Sequence, residues 1–228
     1  MRRFMRWALG ALAILLLGAG AFTLARFELF RHQAHLPPFT HEFAGSEDVQ
    51  VAMRDGVKLH AEVFRPAGVE RSPTILVRNP YMPLRALERF QCQVFTRYGY
   101  ACVLQDVRGE LDSEGDWQPI VHEREDGLDT VAWLVKQPFV DGNLAMRGPS
   151  YLTCVQLAMA DVLPPEVKTL VPQVFGVDFR LVAFERGLMH HDILTAWATL
   201  MPTRGMRLTS GSDYLKAAAY LPANRADE

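Results

Sequence analysis

The stretch NLAMRGPSYLTC, residues 143–154, decides how the rest of the chain is read. Leu144, Ala145 and Met146 form a short apolar run, Arg147 to Ser150 a tight turn, and a helix begins at Tyr151. A strand that turns sharply into a helix lifts the turn residue above the sheet edge. The helix N-terminus behind it offers N–H groups and partial positive charge to an oxyanion. Ser150 is therefore a candidate nucleophile. The glycine spacing of such turns is G-x-S-x-G; Gly148 and Ser150 keep it, while Leu152 replaces the second glycine. The plainer reading is an ordinary turn with Ser150 as a helix N-cap.

Outward from this turn, the chain alternates. TILVR (74–78) and YACVLQ (100–105) are apolar runs of the kind that form buried strands. Apolar residues at 84, 87, 90, 94 and 98 between them predict a helix that ends at Gly99. Further upstream, DVQVAMRDGVKLHAEVFRP alternates apolar and polar residues on both sides of Asp55-Gly56, which predicts a hairpin. The loop DVRGELDSEGDWQP leads to a helix over 123–137, with Leu128, Val131, Leu134 and Val135 on one face. A helix over 151–161 and a strand VKTLVPQV (167–174) follow. Strands alternating with helices predict an α/β fold, a mostly parallel sheet covered on both faces with an antiparallel hairpin at its start. Beyond Asp178, LVAFERGLMHHDILTAWATLMP has helical spacing and suggests no further strand.

The N-terminus reads differently. MRRFMR places three arginines ahead of 19 uncharged residues, 7–25. That length lies between a signal-peptide core and a helix spanning about 30 Å of hydrocarbon. Ala19-Gly20-Ala21 fits a small-x-small cleavage site. Anchor or cleaved signal, the arginine flank stays in the cytoplasm and the bulk is exported. The predicted organisation is thus a signal or anchor over 1–30, a linker over 31–47, an α/β region over 48–180 and a helical segment over 181–228.

Composition sets limits. The chain is 49% hydrophobic and 22% charged with a net charge of −2, so it lacks the basic surplus that nucleic-acid binding requires. Cys92, Cys102 and Cys154 lie in apolar surroundings with no CxxC or metal spacing, and are expected as buried free thiols. His32, His35 and His41 lack the carboxylate or cysteine support of a metal site. No cofactor and no metal are expected.

Taken in order, MRDGVKLHAEVFRP, ILVRNPY, GYACVLQDVRGELDSEG, EREDGLDTVAWLVKQPFVDGNLAMRGPSY and LPPEVKTLVPQ resemble the X-prolyl dipeptidyl-peptidase and cocaine-esterase group of α/β-hydrolases over about residues 48–180. The resemblance implies an α/β-hydrolase fold and acyl transfer on a small ester or peptide substrate. It implies Ser150 as nucleophile, the backbone N–H of Tyr151 as one oxyanion donor and the hydroxyl of Tyr81 as the other. Two positions depart from the family: Leu111 and Thr153 stand where it has glycine, and a side chain at 153 should crowd the approach of helix to strand.

The family's acid and histidine follow a helical cap, and no counterpart to them is recognised after Ser150. His190 and His191 lie in a predicted helix beside Asp192, whose side chain points about 100° away from its neighbour's, so a carboxylate-oriented base is not expected there. His122 precedes a helix and is a weaker candidate. Two readings remain: an exported serine hydrolase, incomplete in this chain, whose catalytic partners come from a second chain or were lost by truncation, or a membrane-tethered, non-catalytic remnant or binding module of the same fold.

Overall fold

The computed structural model describes residues 25–174, 184–185, 188–190 and 197. They fall into two units, divided between Thr40 and His41. The first contains α1, helical over 25–33, where Arg31 reaches back one turn to Glu28 at 2.7 Å. The linker expected from residue 31 is therefore shorter than predicted: no proline interrupts the chain before Pro37, so the helix runs into it. Residues 1–24, which carry most of the uncharged stretch, lie outside the described residues. Among those described, no helix is long and apolar enough to cross a membrane.

The second unit is built on a six-stranded sheet. Its elements are β1 (Phe43–Ala52), β2 (Lys58–Pro66), β3 (Ser72–Asn79), α2 (Met82–Thr96), β4 (Ala101–Asp106), α3 (Glu123–Leu134), β5 (Val140–Pro149), α4 (Tyr151–Leu157) and β6 (Val167–Gln173). The strand order is β1-β2-β4-β3-β5-β6. β1 and β2 form the expected hairpin, pairing Val49 with Ala61 and Val51 with Leu59. β2 joins β4 antiparallel, and β4, β3, β5 and β6 run parallel. The α4 helix is shorter than predicted and gives way to a 3₁₀ turn at Ala160–Val162.

Alternation along the central strands assigns each face its helices. Leu76, Val103, Leu144 and Met146 pack with Val131 and Leu134 of α3 on one face. Their neighbours Ile75, Val77, Cys102 and Leu104 pack with Cys92 of α2 and Leu152 of α4 on the other. The parallel strands are thus covered on both sides, as their unbroken apolar runs require.

Two expectations are corrected. Cys92 and Cys102 are not free thiols: they form a disulfide, with Cα atoms 5.3 Å apart. The inner face of α2 lies along β4, so residues 10 apart in sequence meet on the same face of the sheet. Cys154 is free and buried, as predicted. The second correction concerns the segment after Asp178. Phe184–Glu185 (β7) and Leu188–Met189 (β8) pair antiparallel, where helical spacing predicted no strand. Only Arg186-Gly187 separates them in sequence, a hairpin-length spacing that apolar periodicity does not register. Asp178, His191 and the rest of the expected cap, His190 and Trp197 apart, lie outside the described residues.

Candidate active site

β3, β4 and β5 end side by side, and the candidate residues leave from those ends. Ser150 follows β5 at φ 55°, ψ −125°, a left-handed backbone that a non-glycine residue rarely adopts. Its N–H donates to the Gln173 carbonyl at 2.9 Å, and its own carbonyl accepts from Thr153 N–H at 2.8 Å. Ser150 occupies the N-cap position of α4, but its Oγ makes no capping hydrogen bond. Instead Oγ lies 3.3 Å from the Tyr81 hydroxyl.

The substituted glycines of the turn have local explanations. Gly148 sits at φ 139°, and a Cβ there would come within 2.4 Å of Leu152 Cβ. The leucine in place of the second glycine therefore packs over the first, and is itself fully buried. The crowding expected at Thr153 does not occur. Its Oγ1 lies 2.9 Å from the carbonyl oxygens of Gly148 and Gln173 and accepts from Gln173 N–H at 2.8 Å. Gln156 adds a second stitch, its Oε1 accepting from Val171 N–H at 3.0 Å. The side chains of α4 thus tie it to β6 at the point where β5 bends into the turn.

Tyr81 is held from β3. The Asn79 side chain accepts from Tyr81 N–H at 3.1 Å and donates to its carbonyl at 2.9 Å, bracketing the residue before α2 begins. A proline in the first turn of α2 then fixes the entry to the helix. Arg147 in the turn donates to buried Glu88 of α2 at 2.7 Å, linking the element after Tyr81 to the one before Ser150. The two hydroxyls meet because both supporting elements are pinned.

Tyr151 opens α4, so its backbone N–H has no acceptor within the helix ladder. Its ring is buried, and its hydroxyl donates to Glu123 at 2.7 Å while accepting from Ile120 N–H at 2.8 Å. Burial, with the Glu123 carboxylate beside it, pushes this phenol well above its ordinary range, so it stays neutral. Arg78, wholly buried, lies 2.9 Å from the same carboxylate and donates to Gln105 at 2.8 Å. Burial also pushes the Cys154 thiol up to about 12, which keeps it from competing as a nucleophile.

In the loop after β4, Leu111 takes up a left-handed φ of 52°, a conformation that favours glycine. Ser113 Oγ donates to the Asp106 carbonyl at 2.7 Å and accepts from His60 N–H at 2.9 Å. Arg108 bridges Asp126 at 2.6 Å and Asp55 at 2.7 Å. Gly109 cannot be replaced: a Cβ there would lie 2.1 Å from the Trp117 nitrogen.

His60, Asp106 and Asp112 bring three potential metal-ligand atoms within 4.8 Å of one another. Arg85 already places a cation among them, 2.7 Å from Asp112 and 3.4 Å from Asp106. His60 Nδ1 faces Asp106 at 2.9 Å and Nε2 faces Asp48 at 3.0 Å. A ring with a carboxylate oxygen at each nitrogen satisfies both only when both nitrogens carry protons. The hydrogen bond to Asp106 accordingly raises the His60 pKa, against burial and Arg85.

Among the described residues no histidine is hydrogen-bonded to Ser150 Oγ. His190 follows β8 outside any helix, and His122 stands at the start of α3. One neighbour escaped the sequence reading. Trp197 Nε1 donates to the Tyr81 hydroxyl at 3.2 Å, and its ring stacks on Tyr151 at 5.9 Å and 19°. Trp117 completes the cluster, 5.5 Å from Trp197. A lone tryptophan in an apolar run carries no signal of a partner 116 positions away.

Residues 55–227 match a sequence family described as X-Pro dipeptidyl-peptidase (S15). The chain is 34% identical over 177 residues to a cocaine esterase of Rhodococcus sp. (strain MB1 Bresler), which covers 75% of this chain and 30% of the esterase. Among solved structures, an aminopeptidase from a marine-sediment Thaumarchaeota archaeon superposes with a TM-score of 0.61 at 26% identity, over 85% of this chain and 38% of that one. An α-amino acid ester hydrolase gives 0.58 at 26% identity, over 84% and 38%. The chain therefore spans about a third of the length of these relatives.

Proposed function

The chain belongs to the X-Pro dipeptidyl-peptidase (S15) family, and we propose on that premise that it acts as a serine hydrolase, cleaving a small ester or a peptide bond by acyl transfer through Ser150. Its Oγ attacks the substrate carbonyl carbon, and the resulting oxyanion lies between the Tyr81 hydroxyl and the Tyr151 N–H. Collapse expels the alcohol or amine, and water then releases the acyl group from the serine. The observation that carries this reading is the 3.3 Å approach of Tyr81 to a serine held at a left-handed turn and not used as a cap.

The Ser150 proton needs a base, and among the described residues no histidine contacts it. We assign the base and its carboxylate to residues beyond those described or to a second chain. The test is labelling of the full chain with a fluorophosphonate probe, which reacts only with an activated serine. Labelling that disappears in Ser150→Ala supports the nucleophile; labelling elsewhere, or none once the base is supplied, rejects it. In an active assembly, Tyr81→Phe is expected to lower kcat by roughly 10²–10³, the usual loss for one oxyanion donor. Without its base, the chain is expected to hydrolyse p-nitrophenyl esters barely above background.

A further inference from the structure

The contact between Tyr81 and Ser150 leaves open which hydroxyl donates. Trp197 constrains it. An indole N–H is a donor only, so at 3.2 Å the Tyr81 oxygen accepts from it. With that lone pair engaged, a Tyr81 proton directed at Ser150 Oγ pairs the phenol on both sides and leaves the serine proton to a base.

We propose that Trp197 is a positioning residue for acyl transfer: its indole N–H orients the Tyr81 hydroxyl as a donor toward Ser150 Oγ and the oxyanion that forms beside it. The use made of this contact rests on the acyl-transfer reading; the contact itself does not. A phenol that accepts a hydrogen bond is a stronger donor, because hydrogen bonds in a chain polarise one another. The same ring touches both residues that carry the proposed oxyanion donors. It hydrogen-bonds to the Tyr81 hydroxyl and stacks 5.9 Å from the ring of Tyr151. Trp117 lies 5.5 Å from this indole at 58° and 6.2 Å from the ring of Tyr151, so the three rings form one cluster.

The test follows the Tyr81 phenol directly in the full chain, held in detergent. Tyrosines are replaced by 3-fluorotyrosine, the Tyr81 fluorine resonance is assigned by its loss in Tyr81→Phe, and its chemical shift is read by NMR. Trp197→Phe keeps an aromatic ring and removes the N–H that donates to the Tyr81 oxygen. It is expected to move the Tyr81 fluorine resonance, which reads the hydrogen bonding of the phenol. An unmoved fluorine resonance in a folded Trp197→Phe overturns the proposal. If that variant does not fold, the reciprocal arm decides. With ¹⁵N-labelled tryptophan, Tyr81→Phe should move the Trp197 indole N–H resonance, and an unmoved resonance overturns the proposal equally. Fluorophosphonate labelling in parallel separates the two ideas. A Ser150 that stays unreactive once the base is supplied sinks the acyl-transfer reading, whereas the fluorine and indole resonances alone decide the tryptophan contact.

Discussion

Ser150 holds its backbone at φ 55°, ψ −125°, a conformation that costs a non-glycine residue on the order of 1–3 kcal/mol. Glycine adopts it without strain, at some entropic cost in the unfolded chain. Ser150→Gly is therefore expected to be more stable than Ser150→Ala by about 1 kcal/mol in urea denaturation, although both lack the hydroxyl. Equal stabilities would mean that the turn is relaxed. At this scale the sequence was informative where a motif fixes a turn, as with Ser150 after Gly148 or Tyr81 after Asn79-Pro80. It was silent where a contact depends on tertiary approach: neither Trp197 beneath Tyr81 nor the anchoring of Tyr151 on Glu123 leaves a local pattern.

Among the elements, the cluster around His60 ties β1 through Asp48, β4 through Asp106, α2 through Arg85 and the following loop through Asp112. The folded pKa of His60 is raised, chiefly by its hydrogen bond to Asp106. A raised histidine stabilises fully below its unfolded value, about 6.5, and loses that contribution as pH rises through the higher folded value. Urea midpoints are thus expected to fall as pH rises from about 6.5, and to fall less in His60→Gln. A variant with the same pH slope as the parent would show that His60 is neutral in the fold. The sheet itself was legible because buried parallel strands are unbroken apolar runs and their helices keep a 3.6-residue spacing. The β7–β8 pair was not, since two residues per strand are too few to show a period.

For the molecule as a whole, the Cys92–Cys102 disulfide bears on where it matures. Such bonds persist in oxidising compartments, which agrees with the export proposed from the arginine-flanked N-terminal stretch. Chain isolated from its native host and denatured without reductant should therefore react with one equivalent of thiol reagent, at Cys154, and with three after reduction. Three equivalents before reduction, or a reporter fused after residue 40 that works only in the cytoplasm, would count against export. The bond went unread in the sequence because an odd number of cysteines in apolar runs gives no pairing rule, and only the laying of α2 along β4 supplies one. The aromatic cluster has a further use. Two of the four tryptophans, Trp117 and Trp197, lie 5.5 Å apart beside Tyr81 and Tyr151. Rings that close couple their electronic transitions, so the chain carries its own optical gauge at the proposed site. Circular dichroism and quenching of indole emission can then report a molecule entering beside Ser150, with no dye attached and no turnover required.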